Sequence, residues 1–272
     1  MMKEISELVQ KYRDLDLHQV KDYDLFNNIS IVHHSSIIEG STLTQTDSEL
    51  LITEGITPKG KPLEHSLMVK DHYEALLFTL ALAGKGGELK VTDVQEINAK
   101  VNKSTGSIIN TALGSVDVSK GEFRKSNVKA GDHYFVNYDK VVPLTNTLIK
   151  ELSVQMSNVQ SIPEILQLSF DAHFQLVSIH PFIDGNGRTS RLLMNYIQER
   201  FKLPLAIVFS EDKADYINAL KDSRKLEDIQ PFYEFMFEQY RKYLDNEISK
   251  AQEIKKKEYL SKNRNRGISF IF

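Results

Sequence analysis

Cysteine is missing from all 272 residues of the chain. Its absence excludes a disulfide framework, a thiolate nucleophile and a cysteine-ligated zinc site. The fold must therefore be held by packing. A chain of this length can do so, as one large domain or as two small ones, because it buries enough apolar surface to fold without cross-links.

An excess of positive charge is also missing. The chain has 34 lysine and arginine residues against 37 acidic ones, which gives a formal net charge of −3. Proteins that bind nucleic acid are usually drawn to it by a broad positive field. We therefore expect no nucleic-acid partner.

Long apolar runs are absent as well. The longest, residues 75–83, is interrupted by Thr79, and a transmembrane helix needs about 20 apolar residues. The N-terminal segment is charged from Lys3 onwards and lacks the apolar stretch of a secretory signal. We expect a cytoplasmic protein that does not enter a membrane.

Helical periodicity dominates the rest of the sequence. Apolar residues recur at spacings of three and four, and Gly40 supplies the stop that a helix C-terminus prefers. Residues 104–142 differ, because four glycines and an alternating segment predict loops and one short hairpin there. The fold is predicted to be mainly α. The predicted helices include one ending near Glu39 and others at about 67–83, 94–101, 161–179, 188–200 and from 228 onwards.

One segment has the composition of a phosphate site. Residues 180–191 read His-Pro-Phe-Ile-Asp-Gly-Asn-Gly-Arg-Thr-Ser-Arg. Gly185 and Gly187 allow a ligand to approach the backbone closely. The helix that follows presents unpaired N–H groups and its positive dipole end. An anion, most naturally a phosphate chain, fits this position.

The charged side chains of this segment suit the same ligand. Arg188 and Arg191 are three residues apart on the predicted helix and can fork onto adjacent phosphates. Asp184 is placed to hold Mg²⁺, a hard ion that takes carboxylate and phosphate oxygens. His180 titrates near neutrality and could take a proton from an attacking hydroxyl. Each element alone is more often an ordinary turn or helix cap, but the combination favours a catalytic site.

These twelve residues match every position of the Fic motif, His-x-Phe-x-Asp/Glu-Gly-Asn-Gly-Arg-x-x-Arg. The chain resembles Fic proteins over roughly residues 90–245. The resemblance implies a Fic-type helical bundle with a small β-hairpin flap near 129–138 that holds a target segment by strand pairing. It also implies transfer of AMP from ATP to a Ser, Thr or Tyr hydroxyl of a target protein.

The resemblance assigns roles to single residues. His180 is the general base, Asp184 holds Mg²⁺ or Mn²⁺, and Arg191 grips the γ-phosphate of ATP. Asn186 and the turn amides contact the α- and β-phosphates, and Arg188 contacts the phosphate chain. Tyr216 lies where relatives form the adenine pocket and is a stacking candidate. The implied nucleotide-binding set is Asp184, Gly185, Asn186, Gly187, Arg188, Arg191 and Tyr216.

A second segment is similar to the inhibitory helix of Fic proteins. The sequence from Ser35 to Gly40, Ser-Ser-Ile-Ile-Glu-Gly, matches Ser/Thr-x-x-x-Glu-Gly/Asn. The resemblance implies that Glu39 forms a salt bridge with Arg191, so that this guanidinium cannot hold the γ-phosphate and the resting enzyme is weakly active. In some relatives the same glutamate supports removal of AMP, and the sequence leaves that alternative open.

We expect three regions. Residues 1–90 form an N-terminal helical region with the inhibitory helix around 33–40, residues 91–245 form the Fic catalytic core, and residues 246–272 form a C-terminal helical extension and tail. A phosphotransferase of the Doc type is an alternative, although Gly185 and Gly187 argue against it. A nucleotide-binding regulator without chemistry is another. The sequence leaves open the protein target, self-modification and homo-oligomer formation.

Overall fold

The computed structural model describes residues 2–131 and 133–266, and helices dominate both ranges. The prediction of a mainly α fold is confirmed. Asp132, inside the predicted flap, and residues 267–272 of the predicted tail lie outside the described residues. The helices are α1 (Met2–Arg13), α2 (Tyr23–Ile38), α3 (Gln45–Glu54), α4 (Leu63–Lys85), α5 (Val91–Val101), α6 (Tyr138–Met156), α7 (Ile162–Ile179), α8 (Asn186–Arg200), α9 (Lys213–Leu226) and α10 (Gln230–Arg266).

Two small antiparallel hairpins interrupt the helices. In the first, β1 (Ile108–Thr111) pairs with β2 (Gly114–Asp117). In the second, β3 (Lys129–Ala130) pairs with β4 (His133–Tyr134). The second hairpin lies in the predicted flap segment. The first was not expected, because its strands are short and largely exposed and so lack the apolar alternation that marks a half-buried strand.

Helix α8 lies at the centre of the fold and packs against α4, α5 and α7. Nearly every residue from Asn186 to Gln198 is buried, as expected for a helix enclosed on all sides. Its buried polar side chains are hydrogen-bonded: Gln198 accepts from the backbone N–H of Ala206 (2.7 Å) and donates to the Ser169 hydroxyl (3.1 Å). Burial without these bonds would be costly.

The N-terminal helices are part of the same hydrophobic core. Ile5 of α1 and Ile31 of α2 belong to one buried cluster with Leu193 of α8 and Phe237 of α10. The inhibitory segment predicted around 33–40 is therefore carried by a helix that packs into the body of the fold. The boundary predicted at residue 90 stays a prediction.

The predicted helix boundaries agree best with the structure where the sequence contains a capping motif. Helix α7 begins at the capping box, in which the Ser161 hydroxyl and the Glu164 carboxylate each accept a backbone N–H of the other residue (3.4 and 3.1 Å). Helix α8 begins at Asn186, two residues earlier than predicted. Helices α3 and α6 were not predicted, and Pro143 inside α6 disfavours a helix assignment from sequence.

No helix within the described ranges is both long enough and apolar enough to span a lipid bilayer.

The central position of α8 gives a test of stability. Leu193 is fully buried in the core, so Leu193→Ala is expected to lower the free energy of unfolding by about 2–5 kcal/mol. Leu77, on the exposed side of α4, is the matched control, and Leu77→Ala should change it by no more than about 0.5 kcal/mol. Urea denaturation measures both values. Equal losses in the two variants would contradict the placement of α8.

Candidate functional site

The loop between α7 and α8 is rigidly held. His180 caps α7 with a positive φ of 53°, a conformation that is unfavourable for a residue with a side chain. Phe182 is buried below the loop. The Asn186 side chain accepts from the backbone N–H of Phe182 and donates to its carbonyl, both at 2.9 Å. Asn186 thus closes the loop with its own side chain, which leaves its backbone N–H for the predicted phosphate contact.

Two asparagines, one in α5 and one at its C-terminal cap, support the turn. Asn98 and Asn102 are four residues apart and therefore lie on one helix face. Both donate to the carbonyl of Asp184, at 3.0 and 3.2 Å. Gly185 has φ +77°, and a Cβ there would lie 2.6 Å from the Asn102 side-chain nitrogen. Glycine is thus required both by the backbone and by these neighbours.

Arg191 reaches across from α8 to α2. Its Nη2 forms an ion pair with the Glu39 carboxylate at 2.6 Å and donates to the Ser35 carbonyl at 3.2 Å. Its Nε donates to the Ser35 hydroxyl at 2.7 Å. Gly187 lies directly beneath the carboxylate, where a Cβ would collide with it. The predicted partners from the two separate segments therefore meet in the fold.

The end of α2 places Glu39 at this point. The helix ends at Ile38 and Glu39 is its capping residue, after which Gly40 takes φ +101° and its N–H donates to the Ile37 carbonyl at 3.0 Å. The left-handed glycine turns the chain away, as sequence predicts. The carboxylate thus points back towards α8 from a fixed position.

Each member of the ion pair between Arg191 and Glu39 shifts the pKa of the other. Burial lowers the pKa of Arg191, but the charges and hydrogen bonds of Glu39 and Tyr216 together outweigh this, and the pKa lies above its usual value. Burial raises the pKa of Glu39, but the charge and hydrogen bond of Arg191 outweigh it and this pKa lies below its usual value. Both groups are therefore charged at neutral pH, and each stabilises the charge of the other.

Arg188 does not share the surroundings of Arg191. Its side chain is buried and donates to the Val101 carbonyl and to the Asn102 side chain, both at 3.2 Å, while Nη2 also lies 3.4 Å from Asp184. The two guanidinium groups therefore contact different helices in this conformation, because α8 is enclosed and positions three residues apart meet different neighbouring helices. Their joint contact with adjacent phosphates stays a prediction.

Asp184 is the exposed acidic group of the loop. Its side chain is 64 % exposed, and one oxygen accepts the backbone N–H of Gly185 at 2.6 Å. An exposed carboxylate beside an anion site has the hard oxygen donors that suit Mg²⁺. Among the residues that the structure describes, no three acidic or histidine side chains gather to hold a metal. A metal here would rely on Asp184 together with oxygens of its ligand and water.

His180 presents a neutral imidazole. Its Nδ1 lies 3.3 Å from the Val177 carbonyl, which assigns the proton to Nδ1 and leaves Nε2 as the acceptor. The ring stacks on Phe135, just beyond β4, at 3.8 Å. Burial lowers the pKa of His180 to about 4, and the charges of Arg124 and Arg224 contribute to the decrease. The expectation of titration near neutrality is therefore wrong, because the ring is desolvated.

The ring of Tyr216 is buried and presents no exposed face to a nucleobase. It is only 2 % exposed, and its hydroxyl lies 2.8 Å from the Nε2 of His173 and 3.5 Å from the Nη1 of Arg191. Its ring is packed beside Phe232 and Phe235. The ring is enclosed by the core in this conformation, and its stacking on adenine stays a prediction. Tyr216 instead supports Arg191 from below.

Arg124 is a residue of the site to which the sequence assigned no role, although residues 121–124 resemble the surroundings of the Fic motif. It is buried, and its guanidinium donates to the carbonyls of His180 (2.8 Å), Ser126 (2.8 Å), Val136 and Ile179. It thereby ties the end of α7 to both ends of the segment that contains β3 and β4. Its partners are scattered carbonyls without spacing, so no motif predicts them. The four-residue spacing of Asn98 and Asn102 was a signal that could have been used.

The fold and the site together define a helical protein in which a glycine-containing loop joins a histidine at the end of α7 to the start of the central helix α8. Residues 88–198 match the family described as Fic/DOC. This segment of the chain belongs to that family, which confirms the resemblance of the twelve-residue motif.

Curated relatives extend the similarity beyond this segment. The chain is 30 % identical to "Protein adenylyltransferase Fic" of Drosophila persimilis over 215 residues, which cover 79 % of this chain and 39 % of that protein. It is 32 % identical to the protein of the same name from Drosophila melanogaster, covering 79 % of this chain and 41 % of that protein. The chain thus spans about two fifths of the length of these relatives.

Solved structures share the fold. A Fic domain containing signaling protein from Bacteroides thetaiotaomicron superposes with a TM-score of 0.78 at 22 % identity, covering 91 % of this chain and 96 % of that one. Fic-1 from Caenorhabditis elegans gives 0.75 at 22 % identity, covering 92 % and 72 %. The matched regions include most of the chain.

Arg124→Lys tests how the loop is held. Lysine keeps the charge but cannot bond four carbonyls at once, so buried acceptors lose partners at a cost of about 1–3 kcal/mol each. We expect lower stability and a looser loop. The His180 ring should then gain solvent, and its pKa should rise from about 4 towards the ordinary value of about 6.5. An NMR titration of the histidine ring protons measures this shift.

The control for this experiment is Arg241→Lys, because Arg241 pairs with Glu238 on the outer face of α10. It should leave both the unfolding curve and the His180 titration unchanged. An unaltered pKa of His180 in Arg124→Lys would show that Arg124 does not position the histidine.

Proposed function

We propose that this chain transfers AMP from ATP to a hydroxyl group of a protein, and that Glu39 restrains the transfer. The observation that carries the proposal is that one rigid loop joins a neutral histidine to the anion-binding start of α8. The names of the curated relatives support it. Because the chain spans only part of those proteins, the activity is our proposal for this chain.

In the proposed reaction the target hydroxyl oxygen attacks the α-phosphorus of ATP. A bond forms between them, the bond from the α-phosphorus to the bridging oxygen breaks, and pyrophosphate leaves. His180 accepts the hydroxyl proton at Nε2. Its low pKa in the free protein is set by desolvation, and the negative charge of bound phosphates raises it towards the range of a useful base.

The phosphates of ATP are proposed to bind to backbone N–H groups. The first N–H groups of α8, from Asn186 onwards, have no partner within the helix and attract anionic oxygens. Gly185 and Gly187 let the phosphates approach. When bound, Mg²⁺ would neutralise phosphate charge, and Asp184 would hold it with its exposed carboxylate. Positioning and charge neutralisation dominate this kind of transfer, so no covalent nucleophile is needed.

Glu39 is proposed to act by occupying Arg191. The guanidinium already bonds to Glu39, Ser35 and the Tyr216 hydroxyl, so a γ-phosphate must displace the carboxylate to reach it. The carboxylate also adds negative charge and bulk directly over Gly187. ATP then binds without the contact that orders its phosphate chain, and transfer is slow.

The flap is proposed to hold the target. β3 and β4 form a two-stranded sheet, so an extended segment of a target can pair with an outer edge of this hairpin. Phe135, which stacks on His180, connects this hairpin to the catalytic ring. The proposed acceptor is therefore a Ser, Thr or Tyr in an extended, accessible segment of a target protein or of another copy of the chain.

Glu39→Gly tests the restraint. A coupling of about 1–3 kcal/mol between Glu39 and productive ATP binding corresponds to a gain of about 5- to 150-fold in transfer. The assay is incorporation of label from ATP labelled on the α-phosphate, with self-modification as the readout. Glu227→Gly is the matched control, because Glu227 also caps a helix C-terminus but is exposed and lies at the end of α9. It should leave the rate unchanged.

The same assay separates the alternatives. Label from the α-phosphate supports AMP transfer, whereas label from the γ-phosphate only would establish a phosphotransferase. No label with either ATP, despite measurable ATP binding, would leave a nucleotide-binding regulator. His180→Ala should abolish incorporation in the Glu39→Gly background. An equal rate with and without Glu39 would reject the restraint but not the chemistry.

A further inference from the structure

A cavity lies on the side of α2 opposite Arg191. Its volume is about 810 Å³, which is in the range of pockets that enclose drug-sized ligands. It is bounded by the segment between α1 and α2, by α2 and α3, by residues 207–209 and by α10. We call it the α2 cavity. The proposed AMP transfer gives it no role.

The walls of the α2 cavity are mainly apolar. Phe26 of α2 is 47 % exposed and Ile254 of α10 is 56 % exposed, and both line the same concavity with Phe209. Large apolar side chains scattered singly over a surface are ordinary, but several in one pocket mark a binding site. The water that covers them can be displaced by an apolar molecule with a gain of free energy.

The polar groups of the cavity are held in place. The Tyr23 hydroxyl donates to Glu247 at 2.8 Å, and the Tyr243 hydroxyl donates to Asn27 at 3.0 Å. His34 shares a hydrogen bond with the Ser210 hydroxyl at 3.0 Å. These bonds within the protein fix the side chains of the lining, so the cavity has a defined shape. A preorganised pocket does not have to order its walls when a ligand binds.

The charge of the lining is negative. Lys250 pairs with Glu247 at 2.9 Å, so these two charges cancel. Glu49 of α3 accepts a hydrogen bond from Gln45 at 3.0 Å and has no cation beside it among the lining residues. The histidines do not compensate for it, because burial lowers the pKa of His34 to about 4 and that of His33 below its usual value.

We propose that the α2 cavity binds a small apolar molecule with a cationic amine head, its body against Phe26, Phe209 and Ile254 and its head at Glu49. A carboxylate at the wall of an apolar pocket attracts an ammonium group and repels an acid. The site is separate from the phosphate site, since Ser35 and Glu39 contact Arg191 whereas Phe26 and His34 line the cavity. Binding does not depend on AMP transfer.

Two molecules of one chain length and opposite charge test the proposal. Dodecylamine and dodecanoate are titrated below their critical micelle concentrations against the full chain, with displacement of the neutral fluorophore Nile red as the readout. We expect dodecylamine to bind about tenfold more tightly than dodecanoate, which is typical of one charge-assisted hydrogen bond. Equal affinities, or tighter binding of dodecanoate, would overturn the proposal.

Variants locate the site. Glu49→Gln should remove the preference for the amine, whereas Glu54→Gln, at the exposed end of the same helix, should keep it. Ser30→Phe places a ring into the cavity from α2, where Ser30 is part of the lining, and should abolish displacement by both molecules while thermal melting checks the fold. A preference that persists in Glu49→Gln would place the amine elsewhere and refute the assignment, whatever the outcome of the AMP transfer assay.

Discussion

The ion pair between Arg191 and Glu39 is the interaction on which the site depends. It joins the central helix α8 to α2, two elements that are far apart in sequence, and it sits directly over the glycine turn. A buried guanidinium needs partners for its donors, and Ser35, Glu39 and Tyr216 provide them. In the proposed restraint, the γ-phosphate of ATP competes with Glu39 for the same guanidinium.

Around this pair, rigidity comes from side chains that bond to backbone. The Asn186 side chain accepts the backbone N–H of Phe182. Asn98 and Asn102 donate to the Asp184 carbonyl. Arg124 donates to carbonyls at the end of α7 and on both sides of the second hairpin. The loop holds a histidine with positive φ, and such a conformation persists only when its surroundings fix it. The proposed chemistry requires this, because a base that moves by an ångström loses much of its effect.

Much of the fold was predictable, for identifiable reasons. Helix α7 has a capping box in its sequence and α2 has a glycine stop, so local chemistry fixes their ends. The first hairpin and α6 have no comparable signal, since the strands are short and Pro143 obscures the helix. In the site, the spacing of the twelve-residue motif singled out His180, Asp184 and Arg191, and the resemblance to the inhibitory helix of Fic proteins singled out Glu39. Arg124 was given no role, because its partners are carbonyl groups, which every residue has.

The sequence by itself determined the chemistry that the loop contains: a histidine, a carboxylate, two glycines and two arginines in a fixed order, followed by a helix start. Local spacing is enough for that, because all these groups lie within twelve residues. Tertiary structure decided which groups are free to act. It turned Arg188 towards α5 and Arg191 towards α2, enclosed Tyr216, and lowered the pKa of His180. Burial and partner choice depend on distant helices, and no local pattern records them.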